Sequence, residues 1–154
     1  MHSSAERFLE EAEEEHGFTP EIKEFPEGTK TAEDAANAIG CEVGQIVKSL
    51  VFDTDQGLSL VLCGGSNSVD TEMLAVRTSS DSVDMASPDR VKDVTGWSIG
   101  GVPPLASDLQ VFMDDDLLEF DTVWAAAGTP EAVFSIEPER LESLSGASVE
   151  TFFE

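Results

Sequence analysis

Three stretches of this chain carry residue types that could do chemistry, and beside each chemical reading stands a plainer structural one. In QIVKSLVF, residues 45–52, the alternation of a β-strand puts Ile46, Lys48, Leu50 and Phe52 on one face and Val47, Ser49 and Val51 on the other. A lysine therefore occupies an apolar row, although the chain has only four lysines, at 23, 30, 48 and 92. Its stem can cover apolar surface while the ammonium reaches the rim of the sheet, either as packing or as a charge offered to a ligand. In GWSIGGVPP, residues 96–104, paired glycines let backbone approach a ligand closely and paired prolines stiffen the end of the loop. Exposed amides in so rigid a loop could hold a carbonyl, or the oxyanion formed when an ester is attacked. The same residues would also make a tight turn between helix and strand. In WAAAGTP, residues 124–130, small side chains leave room for a substrate or allow close packing.

Other chemistries find no footing. Cys41 and Cys63 lack CxxC spacing, and Cys63 reads as a small buried hydrophobe rather than a nucleophile. The histidines, His2 and His16, both fall in the N-terminal segment, so neither a structural zinc site nor histidine acid–base catalysis is easily staged. No GxSxG, HExxH, P-loop or GxGxxG pattern occurs, and no metal or cofactor is expected.

The elements that must position these stretches follow from caps, turns and periodicity. Ser3 or Ser4 opens a helix to about His16, ended by Gly17, whose run of glutamates reads as a solvated face. Residues 21–25 alternate as a short strand, Pro26-Glu27-Gly28 turns, and a helix from Thr31 stops at Gly40. The lysine strand then meets LSLVLC through an Asp55-Gln56-Gly57 hairpin turn. A short helix over 71–76, a brief strand over 83–85 and a helix from Ser87-Pro88 to Val94, closed near Gly96, precede an ordered loop from Trp97 to Ser107. Strands are predicted over 109–113, 122–126, 132–136 and 147–153, with a helix over 138–144 ended by Gly146. The expected fold is α+β: one domain over 1–154 with many short strands, no repeat and no linker.

A length of 154 residues suits a single core without disulfides or metals. No run approaches the roughly 18 apolar residues of a membrane span, and the first residues are acidic where a signal peptide would be basic and then apolar, so a cytoplasmic protein is expected. Eight basic against thirty-two acidic residues give a net charge of −24, spread along the chain. With an apolar fraction of 40%, that spread points to a folded protein adapted to a high-salt cytoplasm rather than to a disordered acidic chain. At about 1 M salt the screening length falls to roughly 3 Å, so acidity there does not forbid contact with RNA.

The ordered series TAEDAANAIGCEVGQIVKSLVF, LCGGSNSVD, TGWSIGGVPP and VWAAAGTPEAVFSIEPERL resembles the YbaK family, which includes the prolyl-tRNA synthetase associated editing domain and its free-standing relatives. The likeness runs from about residue 20 to the C-terminus, leaving 1–19 as an N-terminal helix. It implies a mixed, mostly antiparallel sheet curled into a partial barrel with helices outside, and hydrolysis of the ester of a mischarged aminoacyl-tRNA. It further implies that Lys48 is the essential lysine and holds the terminal nucleotide, and that Gly100 and Gly101 meet the aminoacyl carbonyl. Val102, Pro103 and Pro104 would complete a GxxxP-type loop, with Ala126, Ala127 and Gly128 bordering the amino-acid pocket. A partly desolvated ammonium would act more strongly on phosphate than an exposed one, which gives the lysine a reason for its place. The chain departs from many relatives in reading Pro103-Pro104 for serine-proline, Leu105-Ala106-Ser107 for phenylalanine-glycine-histidine, and Ser68 for an arginine. The implied partners are the 3′ end of a mischarged aminoacyl-tRNA and a synthetase, with no DNA and no membrane. The competing reading is a non-catalytic module that binds an aminoacyl-adenosine group, a tRNA end or a synthetase.

Overall fold

Apolar residues at alternating positions and good caps at the helix ends produce short elements here. The structure, a computed structural model, describes residues 3–25, 31–105, 109–151 and 153. Helix α1, Ser3–His16, buries Ala5, Phe8 and Ala12 and exposes most of its glutamates. Strand β1 is Ile22–Glu24, and α2, Ala32–Ile39, begins where Thr31 Oγ1 accepts from the Asp34 N–H at 3.1 Å and ends at Gly40. A 3₁₀ turn, Val43–Gln45, feeds β2, Ile46–Thr54, and a tight turn leads to β3, Gly57–Gly64. There follow α3, Thr71–Arg77, capped by Asp70; β4, Asp84–Met85; and α4, Pro88–Thr95, capped by Ser87 and closed by Gly96. Strand β5, Gln110–Asp114, runs into a 3₁₀ helix, Asp115–Glu119, for which the sequence offers no clear signal. Strands β6, Val123–Ala126, and β7, Ala132–Ile136, then α5, Pro138–Ser145, and β8, Ser148–Glu150, complete the chain.

The predicted elements form close to their expected places, with one correction at the end. Strand β8 stops at Glu150, and Phe153 forms an isolated bridge to Val69. The Pro26-Glu27-Gly28 turn, His2 and the Ala106-Ser107 end of the long loop lie outside the described residues.

All eight strands join one sheet in the order β1-β7-β6-β2-β3-β5-β8, with β4 also paired to β2. Four pairings are antiparallel and three parallel, the mixed and mostly antiparallel sheet expected, and among the described residues it does not close. One face carries the main core, where Val47, Val51, Leu60, Leu62, Met113 and Phe134 meet α1, α5 and the 97–105 loop. Phe8 stacks on Phe134 with ring centroids 5.0 Å apart, fixing α1 across the sheet. The other face bears two smaller clusters. Ile46 packs with Ala35 and Ala36 of α2, while Leu50 and Phe52 pack with Leu74 and Ala75 of α3. Among the described residues no helix is long and apolar enough to cross a membrane.

Candidate active site

The two clusters explain the lysine in the apolar row. Ile46 belongs to the α2 cluster and Leu50 and Phe52 to the α3 cluster, so Lys48 falls in the gap between them. The sheet opens at the same place. Strand β3 holds one edge of β2 along its length, while the other edge is shared: β6 pairs with Ile46 and Val47, and β4 with Phe52 and Asp53. Among the described residues no strand covers that edge between the two short pairings. A cavity of about 610 Å³ lies there, within the range of small-molecule sites. Its wall is mostly apolar, and among the described residues Lys48 and Glu33 are its only charged members.

The Lys48 ammonium donates to the Asn67 carbonyl at 2.5 Å. An ammonium has three N–H donors, and among the described residues this bond uses one, leaving two for a ligand. Ser49, which also lines the cavity, carries the one buried side-chain polar atom among the described residues with no hydrogen-bond partner, its Oγ.

Helix α1 braces the loop that faces this strand. The Arg7 guanidinium lies 4.0 Å from the centroid of the Trp97 ring and donates to the Gly96 carbonyl at 2.9 Å, while His16 Nε2 donates to the Leu105 carbonyl at 2.8 Å. Trp97, Val102 and Leu105 are buried in the main core. Gly100, in the left-handed region at φ +83°, lines the cavity beside Pro130. Gly101 does not. Its N–H donates to the Ser98 carbonyl at 3.0 Å, and a Cβ on it would lie 2.7 Å from Thr129 Cα and 2.9 Å from Thr129 N. The Gly101 amide is thus engaged within its own loop, at a point where two backbones meet.

The remaining predicted residues divide in the same way. Ala126 lines the cavity, with Trp124 and Pro130, which sequence reasoning did not place there. Val102, Pro103, Pro104 and Ala127 are buried, Val102 and Ala127 in the main core. Gly128 is backed by α1 and Trp97, since a Cβ would come within 2.5 Å of the Ser4 carbonyl oxygen and 2.7 Å of the Trp97 ring. Lys48, Gly100 and Ala126 thus share one cavity.

Cys63, paired with Lys48 across β2 and β3, is fully buried, and burial pushes its thiol up to about 11. The Lys48 charge works against that rise and the Asp114 charge with it. A thiol so held is a poor nucleophile at neutral pH. The carboxylates of Asp114, Asp115 and Asp116 lie within 4.8 Å of one another and are the one acidic group among the described residues that could gather round a cation. Both Asp114 oxygens already accept N–H bonds, from Gly64, Asn67 and Asp116.

Residues 26–144 match the model of an aminoacyl-tRNA editing domain. The uncharacterized protein YwhH of Bacillus subtilis is 34% identical over 133 residues, covering 84% of this chain and 83% of that protein. The proline--tRNA ligase of Thermosipho melanesiensis is 30% identical over 106 residues, which are 68% of this chain but 18% of the ligase. A crystal structure of a candidate trans-editing enzyme for prolyl tRNA synthetase superposes with a TM-score of 0.92 at 41% identity, covering 100% of this chain and 99% of the other.

Proposed function

Since this chain belongs to the aminoacyl-tRNA editing domain family, we propose that it acts in trans as a deacylase, hydrolysing the ester that joins a wrongly attached small amino acid to the 3′ end of a tRNA. The observation that carries this reading is Lys48, whose ammonium lies at an open strand edge beside a mostly apolar cavity with donors to spare. In this reading the ammonium holds the phosphate or ribose of the terminal nucleotide, and the ester carbonyl lies toward Gly100. Ala126 and Pro130 bound the space for the amino-acid side chain.

The chemistry asks little of acid–base groups. A water oxygen bonds to the carbonyl carbon, the carbon–ribose oxygen bond breaks, and the ribose oxygen takes one proton from the water while the other leaves with the ionising acid. Positioning and stabilisation of the oxyanion supply the rate, and the vicinal ribose hydroxyl orients the water. Lys48 binds and orients; it is not a nucleophile here. The neighbouring thiol of Cys63 has no part, because burial holds it protonated.

One observation keeps a second reading in play. Of the glycine pair only Gly100 reaches the cavity, since the Gly101 amide is spent on Ser98, and a site with fewer backbone donors would suit a module that binds an aminoacyl end without cleaving it. Incubating the purified protein with tRNAs mischarged with alanine, cysteine or serine separates the two. Release of free amino acid at a rate proportional to protein supports hydrolysis. Saturable binding of the same tRNAs with no release supports the module.

A further inference from the structure

Lys48 is a long side chain in a gap between two clusters, and something must fix where its ammonium stands. Among the described residues its one hydrogen-bond partner is a backbone carbonyl, that of Asn67. That carbonyl belongs to a turn closed by the Asn67 N–H donating to the Gly64 carbonyl at 2.9 Å. The turn is tied down from the next strand. Asp114, fully buried at the end of β5, accepts from the Gly64 N–H at 2.9 Å and from Asn67 Nδ2 at 2.8 Å through the same oxygen, Oδ2. Its Oδ1 accepts from the Asp116 N–H at 3.0 Å, and Asn67 Nδ2 donates in addition to Asp116 Oδ2 at 2.8 Å. The approach at Gly64 is close: a Cβ there would stand 3.1 Å from Asp114 Oδ2, so the carboxylate would have to shift.

A buried carboxylate is a costly way to fasten a turn, and Asp114 takes part in none of the ion pairs found among the described residues. Two of its three hydrogen bonds, those from Gly64 and Asn67, fall on the residues that set the position of the carbonyl facing Lys48. We infer that Asp114 and Asn67 form a positioning unit for Lys48: the carboxylate holds the Gly64–Asn67 turn, and the turn holds the ammonium at the edge of the cavity. The inference rests on the proposed role of Lys48 in deacylation. Neither residue touches the substrate, so both are positioning residues.

The test compares Asn67→Ala, Asp114→Asn, their combination and Lys48→Met, by single-turnover deacylation across substrate concentrations, thermal unfolding, and nuclear magnetic resonance of the lysine Cε–Nζ groups. With four lysines in the chain, the Lys48 signal can be assigned by its loss in Lys48→Met. Asn67→Ala should fold, being partly exposed, and should lose on the order of ten- to a hundredfold in maximal rate with a smaller change in half-saturating concentration. Asp114→Asn should lose as much, and the double variant no more than the worse single one, since both cut the same tether. The Lys48 resonance should move in both while that of exposed Lys92 stays in place. Should Asp114→Asn fail to fold, Asn67→Ala decides alone. A full rate in Asn67→Ala beside an inactive Lys48→Met, or an unmoved Lys48 resonance, overturns the positioning unit and leaves the deacylase reading standing. A full rate in Lys48→Met overturns both.

Discussion

Alanine at position 101 and alanine at position 100 should do different damage, although the glycines are neighbours in one loop. At Gly101 a methyl group would lie 2.7 Å from Thr129 Cα, 2.9 Å from Thr129 N and 3.1 Å from the Gly128 carbonyl carbon. These are backbone atoms of a turn whose other side is packed against Ser4 and Trp97, so no side chain can rotate away. Overpacking costs about 1–3 kcal/mol, and an unrelieved backbone clash belongs at the upper end. For a chain of this size about 3 kcal/mol lowers the melting temperature by about 6–12 °C. At Gly100 the nearest outside atom to an added methyl is Pro130 Cγ at 3.5 Å, and the cost is that of a φ of +83°. A left-handed conformation costs a residue with a Cβ about 1–2 kcal/mol, or roughly 2–8 °C here. That methyl, however, is added to a residue of the cavity wall. Thermal unfolding at fixed salt, with deacylation expressed per folded molecule, should therefore show Gly101→Ala as the less stable variant and Gly100→Ala as the less active one. A Gly101→Ala protein that melts within about 2 °C of the parent yet has lost its activity would refute the packing account of that glycine.

Two further outcomes arise from charge and burial. Folding raises the Cys63 pKa from 9.0 to about 11, so the native state keeps a proton that the unfolded chain gives up; this stability is fully present below about pH 9 and is lost as the pH climbs to about 11. The loss amounts to about 2–3 kcal/mol, and Cys63→Ala should flatten the corresponding fall in melting temperature, which parallel melts from pH 8 to pH 11 would reveal. A net charge of −24, with the three ion pairs among the described residues each including an exposed arginine, should make folding depend on salt. The melting temperature should rise steeply between about 0.1 M and about 3 M salt, and a flat profile would count against adaptation to high salt.

Much of the fold can be read from residues whose local chemistry leaves little choice. Thr31, Asp70 and Ser87 cap helices through their own oxygens, and Gly40, Gly96 and Gly146 end helices in the left-handed conformation. The strand period alone puts Lys48 beside Ile46, Leu50 and Phe52. Nothing local says that β6 and β4 share one edge of β2 and leave a cavity between them, because that depends on pairings between residues far apart in the chain. The same limit hid Asp114. It stands first in a run of three aspartates in an acidic chain, and only the parallel pairing of β3 with β5 brings it to Gly64 and Asn67. The two glycine stretches are ambiguous for a related reason: a glycine needed for contact between two loops looks, in sequence, like a glycine needed for contact with a ligand. Gly101 and Gly128 are of the first kind.

Lys48 is where deacylation and mere packing part most clearly. Methionine keeps a comparable stem and removes the charge from an apolar row, so Lys48→Met should fold with undiminished or slightly higher stability. Arginine keeps the charge but changes reach and shape, and should serve the turn carbonyl and the substrate poorly. The deciding measurement is single-turnover release of amino acid from a mischarged tRNA by the parent, Lys48→Met and Lys48→Arg, each shown by its melt to be folded under the assay conditions. Near-complete loss of release by Lys48→Met, with Lys48→Arg also impaired, is the predicted result. Undiminished release by folded Lys48→Met would contradict it and leave the lysine a packing detail of the strand.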